Sequence, residues 1–237
     1  AATATAGLIT DDGFSLEAEN GRCIAARRLV LATGVTDVLP EIPGVAALWS
    51  NGVHHCPFCH GWEVRDRAWA IVGDSPAAFE RVALFRGWAS SLAVLANGPS
   101  SLSDSEKRGL AALGAGVDER PISRLDRQGE DGVRVTCSNG SSLDVGAVYL
   151  IPGQQHRSTL AADLGCEFFE SGPAGYRFVK TDPISGETTV PGVYAAGDII
   201  GPMQSLILAA ASGARAGYVI AHSLAIADAQ AVRGGST

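Results

Sequence analysis

Two short apolar runs, separated by a segment with helical spacing, organise the middle of the chain. AWAIV at 68–72 and LAVLA at 92–96 are each long enough for one buried strand. Between them, AAFERVALFRGWA carries an apolar stripe that includes Phe79, Val82 and Ala83. A strand, a glycine turn, a helix and a second strand make a βαβ unit, so we expect a parallel sheet.

The hydrophobic pattern also predicts elements on both sides of this unit. GVRVTCSNGSSLDV alternates around an Asn139–Gly140 turn, which is typical of a hairpin. Ser103 or Asp104 caps a predicted helix in SLSDSEKRGLAAL. An alanine-rich segment after VPGVYAAGD predicts a buried helix. The other predicted elements are strands at 14–18, 23–31 and 148–151, a Pro- and Gly-rich linker at 35–55, and that long helix at 205–228.

Composition narrows the possible partners. The chain has 237 residues, 46% of them hydrophobic, which is enough to fill a globular core. A net charge of −7, with no run of Lys or Arg, argues against nucleic acid and anionic membranes. No apolar stretch reaches the roughly 18 residues of a membrane span, and no signal peptide is visible. Of five cysteines only Cys56 and Cys59 are close in sequence, so we expect a cytoplasmic protein with one special pair.

The stretch HHCPFCH at 54–60 concentrates the candidate chemistry. C-x-x-C-H is the attachment signature of c-type haem, but the single methionine, Met203, is distant and the α/β pattern does not suit a small haem domain. A structural zinc site usually takes two separated ligand pairs. Here all the candidate ligands, two Cys and three His, lie within seven residues. We therefore expect no metal site. Two cysteines buried in a core strand are a further alternative, which Pro57 between them disfavours.

The remaining chemistry is a redox-active disulfide. C-x-x-C brings two sulfurs within bonding range, and one thiol can hydrogen-bond the thiolate of the other. His60, next to Cys59, could carry the proton that each exchange step needs, because imidazole titrates near neutral pH. His55 could assist, although His54 and His55 are also explained as hydrogen-bonded surface residues. His156, in GQQHRS, is a weaker candidate for the same site.

Four motifs in this order resemble thioredoxin-reductase-like flavoproteins, the small FAD-dependent pyridine nucleotide-disulfide oxidoreductases. They are LVLATG at 29–34, the C-x-x-C, GDSPAAF at 73–79 and VPGVYAAGD at 190–198. The resemblance covers nearly the whole chain. It implies an α/β fold with two Rossmann-like nucleotide-binding domains and a homodimer. The implied domains are an FAD-domain remnant at 1–38, an NAD(P)-binding-like domain with the C-x-x-C at 39–152, and the C-terminal part of the FAD domain at 153–237.

The same resemblance implies where FAD binds. Gly197 and Asp198 would contact the ribityl chain, and Thr33 and Gly34 would make a second contact. The helix beginning near Gln204 and Ser205 would point its N-terminus at the flavin, where its partial positive charge would stabilise the anion of reduced flavin. The family's opening G-x-G-x-x-G strand has no counterpart here, so only half of the FAD site is expected in this chain.

The nicotinamide motif departs from the family pattern, and NAD(P)H is therefore an unlikely cofactor. Ser75 replaces a glycine that lets the backbone approach the pyrophosphate, and Pro76 removes an N–H donor. Asp74 would repel phosphate. After LAVLA, Asn97 stands where an Arg for NADP or an acidic residue for NAD is expected.

A second departure, C-x-x-C-H in place of the commoner C-x-x-C-D, resembles the dithiol oxidases of the gliotoxin and holomycin kind. This implies oxidation of a small dithiol to a disulfide, with O2 as acceptor. Cys56 would form the mixed disulfide and Cys59 would lie nearer the flavin. Two alternatives stay open at this point: a disulfide reductase fed by NADPH or a ferredoxin-like donor, and an inactive flavoprotein relic or redox-sensing module.

Overall fold

The structure, a computed structural model, describes residues 2–75, 77–171 and 175–234. Its strands, in chain order, are β1 (Ala4–Thr10), β2 (Gly13–Ala18), β3 (Cys23–Ala26), β4 (Leu29–Leu31), β5 (Val35–Val38), β6 (Val53–His54), β7 (Ala68–Val72), β8 (Ser91–Leu95), β9 (Ala115–Asp118), β10 (Ile122–Gln128), β11 (Gly132–Cys137), β12 (Ser142–Val145), β13 (Ala147–Leu150), β14 (Gly153–His156), β15 (Phe168–Ser171), β16 (Tyr176–Val179) and β17 (Val193–Ala195). The helices are α1 (Val45–Leu48), α2 (Pro57–His60), α3 (Ala77–Phe85), α4 (Asp104–Ala112), α5 (Leu160–Asp163) and α6 (Leu206–Gly234), with a 3-10 turn at Gly197–Ile200.

The chain forms two compact units, Val38–Gly153 and the combination of Ala1–Asp37 with Gln154–Thr237. We call them the central unit and the outer unit. The chain leaves the outer unit at β5 and returns at β14, and these two strands pair with each other. The assignment of the units as FAD-binding and NAD(P)-binding-like domains stays a prediction.

The central unit is built on a parallel sheet in the order β6-β13-β7-β8-β9. The strands β7 and β8 flank α3, as the βαβ pattern predicts, and Val72 pairs with both Leu95 and Leu150. The predicted hairpin is present as β11 and β12. Ser103 caps α4 in a capping box with Glu106. The expected α/β class with a parallel sheet is therefore confirmed.

The buried face of α3 differs from the predicted stripe. Ala78, Val82 and Phe85 are buried, at spacings of four and three residues, whereas Phe79 and Ala83 are exposed. The helix also ends at Phe85, before GWA. One face of a short helix can touch the sheet, and the spacing 78, 82, 85 keeps three side chains on that face.

In the outer unit, β1-β2-β3 form an antiparallel sheet and β4 pairs in parallel with β17. The predicted strand 23–31 is thus two strands in different sheets. The core here includes Phe14, Leu31 and Ile199.

The prediction that the last helix is buried is wrong for this chain. In α6 only Ser212 and Ala216 are buried, while Leu206 is 90% and Ile207 74% exposed. Apolar residues occupy consecutive positions and therefore surround the helix, so a single contact face leaves most of them uncovered.

Candidate active site

The two cysteines of the C-x-x-C motif belong to α2, a single helical turn that follows β6. Cys56 directly precedes the helix and Cys59 lies within it. Cys56 is the extended N-cap residue, and Pro57 occupies the first helical position, where its fixed φ suits the helix and its missing N–H costs nothing. The N–H of Cys59 donates to the carbonyl of Cys56 at 3.3 Å. Both are free thiols, with Cys56 half-buried and Cys59 exposed. The two cysteines are therefore close together as free thiols, and their role as a redox pair stays a prediction.

Gly61 fixes the place of this turn. A Cβ on Gly61 would overlap the ring of Trp88 and stand 2.5 Å from the carbonyl oxygen of Pro57. Phe58 contacts the same Trp88 edge-on, with ring centroids 5.8 Å apart. Trp88 in turn packs edge-on against the fully buried Trp69. The cysteine turn is thus seated on an aromatic stack that reaches the core of the central unit.

The Cys59 thiol ionises less readily than an ordinary cysteine. A hydrogen bond with Cys56, followed by burial and by the charge of Cys56, raises the pKa of Cys59 to about 11. Cys59 therefore keeps its proton near neutral pH although it is the more exposed thiol. A protonated thiol is a poor nucleophile.

Three histidines surround the pair, and their environments differ. His54 is buried, and its Nε2 accepts the N–H of Gly52 at 3.3 Å. Burial, with the charges of His60 and His55, lowers the pKa of His54 to about 4. His54 is therefore neutral at physiological pH, and the expectation of a surface role for it is wrong. Its ring stacks on that of His60 at 4.5 Å.

His60 and His55 occupy more accessible positions. His60 is half-buried at the end of α2, directly after Cys59. His55 is exposed and stacks on Trp49 at 5.9 Å. His156 belongs to the outer unit, where its Nε2 lies 2.7 Å from the carbonyl oxygen of Arg177 and its ring stacks on Tyr176. One nitrogen of His156 is thus already engaged.

The predicted flavin contacts Gly197 and Asp198 lie in the outer unit on a cavity of 570 Å³ beside the first turns of α6. Gly197 has φ +79°, which lets the backbone turn at the cavity wall without a side chain. Among the described residues the Asp198 carboxylate has no hydrogen-bond or ion-pair partner, so it is free to accept from a ligand hydroxyl. These features fit the ribityl and isoalloxazine half of FAD.

The other predicted flavin residues are partly engaged elsewhere. Gln204 exchanges two amide hydrogen bonds with Gln154, at 2.8 and 3.0 Å. Ser205 accepts the N–H of Leu208 and so caps α6. Gly34 has φ +69°, and Thr33 lines a different cavity, of 440 Å³. Thr33 and Asp198 therefore do not share one cavity in this structure.

The loop after β7 has structural partners of its own. The Asp74 carboxylate accepts the N–H of Ser101 at 2.5 Å. Burial raises the pKa of Asp74, but hydrogen bonds from Ser101 and Ser100 outweigh it and leave the pKa lowered. Asn97 accepts the N–H of Ile122. A fixed negative charge thus stands in the loop that follows β7. Pro76 lies outside the described residues.

Comparison with known proteins places this arrangement in a family. The family model "Pyridine nucleotide-disulphide oxidoreductase" matches residues 4–215. The chain belongs to this family. The expected resemblance is therefore confirmed, and with it the class of flavin-dependent oxidoreductases that act on disulfides.

Individual members of the family show how much of the fold is shared. Thioredoxin reductase sirT of Leptosphaeria maculans is 31% identical over 220 residues, 87% of this chain and 66% of the relative. HlmI, known from a crystal structure, is 34% identical in sequence. The match covers 97% of this chain and 71% of HlmI, with a TM-score of 0.84. The crystal structure of the oxidoreductase from Agrobacterium tumefaciens is 31% identical in sequence. The match covers 95% of this chain and 74% of that protein, with a TM-score of 0.85. The chain thus spans about two thirds of sirT. No helix in the described part of the chain is long and apolar enough to cross a membrane.

Sequence reasoning missed several residues that shape the site. The burial of His54 follows from its pairing with Tyr149 across β6 and β13, a contact that no local pattern reveals. The role of Gly61 depends on Trp88, 27 residues further along the chain and joined to α2 only by packing. The sequence offered one indication: Trp88 follows a predicted helix among polar residues, and so large an apolar side chain is expected to pack against another apolar group.

We predict that Cys56→Ala lowers the raised pKa of Cys59, because it removes the hydrogen bond and the charge that raise it. Cys59 should then react with iodoacetamide at pH 8 at least about tenfold faster than in the reduced parent. Site-resolved mass spectrometry measures the rate. Cys23, exposed on β3 of the outer unit, is the internal control and should react at one rate in both proteins. Equal rates for Cys59 in the two proteins would contradict the pairing.

We predict that Gly61→Ala destabilises the chain by about 1–3 kcal/mol, because the added Cβ forces Trp88 or Pro57 to shift. Urea unfolding followed by tryptophan fluorescence measures the change. Gly87→Ala is the matched control, since a Cβ there meets no atom within 4 Å. The free energy of unfolding of Gly87→Ala should stay within about 0.5 kcal/mol of that of the parent. A similar loss in both variants would show that the Gly61 contact is not specific.

Proposed function

We propose that the chain is the disulfide-bearing part of an FAD-dependent oxidase that converts a small dithiol into a disulfide. The supporting observation is the loop after β7, where Asp74 holds a negative charge against Ser101 in place of a phosphate cradle. The cysteine pair at α2, in contrast, keeps both thiols that disulfide exchange needs. A site that exchanges thiols but repels nucleotide phosphate favours a substrate dithiol, and not NAD(P)H, as the electron donor.

The exchange begins from the oxidised pair. A substrate thiolate attacks Sγ of Cys56, the Cys56–Cys59 bond breaks, and Cys59 leaves with the bonding electrons. The second substrate thiol, as its thiolate, attacks the sulfur bound to Cys56. The substrate S–S bond forms and Cys56 is released. Two electrons and two protons have then moved from the substrate to the pair, and the raised pKa of Cys59 favours its return to the thiol form.

His60 is the proposed proton carrier between these thiols. It follows Cys59 directly, and stacking on the buried ring of His54 restricts its orientation. His60 takes the proton of the first attacking thiol and delivers it to the departing sulfur of Cys59. In the second exchange it moves the proton of the second thiol to Cys56, so each exchange transfers one proton. His55, exposed beside Cys56, is the second proposed group.

Six residues of the outer unit are proposed to hold the flavin: Thr33, Gly34, Gly197, Asp198, Gln204 and Ser205. Asp198 supplies an unpaired acceptor and Gly197 a close backbone approach. Bound FAD would accept the two electrons of the dithiol pair and pass them to O2. A cytoplasmic location and a homodimer are proposed with this function on sequence grounds.

A disulfide reductase is the second candidate, and one observation favours it. The relative sirT is called a thioredoxin reductase. In that case electrons would move from a nicotinamide or a ferredoxin-like donor to the cysteine pair and on to an external disulfide. The oxidase and a reductase that uses NADPH predict opposite responses of the flavin to NADPH.

We predict that dithiothreitol bleaches the flavin absorbance of the anaerobic holoprotein within seconds, whereas NADPH at the same concentration does so slowly or not at all. The reason is the charge of Asp74 where phosphate must bind. Stopped-flow spectroscopy measures both rates. Cys59→Ser should abolish bleaching by the dithiol while the fold is retained. Rapid stoichiometric bleaching by NADPH would reject the oxidase and favour the reductase.

We predict that His60→Ala lowers the rate of dithiol oxidation by about 10²- to 10⁴-fold, the usual contribution of a positioned acid–base group. His60→Asp should recover part of the rate, with its pH inflection moved below that of an imidazole. The pH–rate profile separates proton transfer from orientation. If His60→Asn keeps a near-normal rate and profile, His60 only orients the disulfide.

A further inference from the structure

The central unit contains a small cavity that the proposed chemistry has not yet used. Its volume is 170 Å³, and its walls include the buried side chains of Ile71, Phe85 and Tyr149. Leu84 and Ile151, both about half exposed, form its rim. Because an apolar cavity of about 150 Å³ accommodates benzene, this one is sized for a single ring.

The cavity lies where α/β sheets bind ligands. Its lining includes residues at or just after the carboxyl ends of β6, β7 and β13, together with the side of α3. In the sheet order, β7 stands between β8, the next strand along the chain on one side, and β13 on the other. This is the point at which the strand order reverses, the usual ligand crevice of an open parallel sheet.

Cys56 adjoins this cavity. It is the residue between His55 and Pro57, and both of these line the wall. Tyr149, which also lines the cavity, has a buried hydroxyl that finds no hydrogen-bond partner among the described residues. Burial, followed by the charges of Cys56, Glu63 and Cys59, raises the pKa of that hydroxyl, so it lies within electrostatic range of the cysteines. A molecule seated in the cavity would therefore stand beside the sulfur that we propose is attacked.

Arg81 gives the cavity a charge. Arg81 lines the wall and is half-buried, yet no carboxylate of the described residues forms an ion pair with it. The neighbouring Glu80 is exposed and makes no such contact. A partly desolvated guanidinium gains most from an oxygen acceptor, above all from a carboxylate that binds it with two hydrogen bonds.

We propose that this cavity binds the body of the dithiol substrate, with a ring-sized apolar group against Ile71, Phe85 and Tyr149, an acceptor oxygen on Arg81, and a thiol directed at Cys56. The substrate class is thus a compact dithiol that carries one small ring and a carboxylate or carbonyl oxygen. This inference rests on the proposed oxidase function. A nicotinamide ring would suit the same crevice, but Asp74 and Asn97 withhold the phosphate and ribose contacts that such a ligand needs.

The test separates binding in the cavity from thiol chemistry. The first probe is 3,4-dimethylbenzoate, which has the ring and the carboxylate but no thiol, titrated calorimetrically into the full chain. It should bind at one site. Arg81→Leu should weaken binding by at least about tenfold, which corresponds to about 1.4 kcal/mol. Arg81→Lys should recover part of the loss, and circular dichroism confirms that each variant is folded.

Arg86→Leu is the matched control, because Arg86 directly follows α3, is exposed and does not line the cavity. It should leave the affinity for the probe unchanged. Leu84→Trp should lower the affinity by narrowing the rim. Equal affinities in the parent, Arg81→Leu and Leu84→Trp would overturn the proposal. Nicotinamide mononucleotide that binds in an Arg81-dependent way, while the benzoate does not, would also overturn it.

A second measurement uses two dithiols that both close a six-membered disulfide ring. The 4-carboxylate of 1,2-bis(mercaptomethyl)benzene should reduce the flavin of the holoprotein with a KM at least about tenfold below that of dithiothreitol, a preference worth about 1.4 kcal/mol. Arg81→Leu should shrink that ratio and Arg86→Leu should not. If neither dithiol reduces the flavin, the oxidase function fails. If both reduce it with equal KM, only the cavity proposal fails.

Discussion

The contact between Gly61 and the ring of Trp88 is the constraint on which the candidate site depends. A helix of one turn has no stability of its own, since nucleation costs more than its few hydrogen bonds return. The position of α2 must therefore come from tertiary packing. Trp88 supplies it by meeting Gly61 and Phe58 on one side and the buried Trp69 on the other. This packing fixes the turn that carries the cysteines to the core of the central unit, while Cys56 stays half-buried and Cys59 exposed.

The proton inventory of the site follows from the same placement. His54 is held in the sheet by β6, so burial keeps it neutral, and a neutral ring can stack on His60 without repelling an imidazolium there. Cys59 stands at the open side, where its hydrogen bond with Cys56 helps to raise the Cys59 pKa. The site therefore holds a buried imidazole whose pKa is lowered and a thiol whose pKa is raised. Such differences are what acid–base assignments require.

The sequence predicts those parts of the structure whose causes are local. The βαβ unit, the hairpin at Asn139–Gly140 and the cap at Ser103 each depend on residues that follow one another closely in the sequence, and each is present. The break at Arg27 is different. It separates β3 from β4 because their partners, β2 and β17, belong to different sheets, and Arg27 itself pairs with Asp228 at the far end of the chain. Periodicity carries no information about such distant partners.

The candidate site shows the same division. The motif at 54–60 predicts disulfide exchange, because its two cysteines carry the thiols that this chemistry needs. It does not reveal that His54 faces the core, since the side of a two-residue strand is set by its neighbour β13. Nor does it reveal Arg81, which in the sequence is one of many helix-surface arginines. Its importance appears only when the sheet brings the carboxyl ends of β6, β7 and β13 to one edge. That edge holds Cys56, the Asp74 loop and Tyr149 together. Under the proposed function, this one sheet edge would supply the sulfur that is attacked, a charge that disfavours nucleotide phosphate and a cavity for the ring of the substrate. A change of electron donor would then need no change of fold.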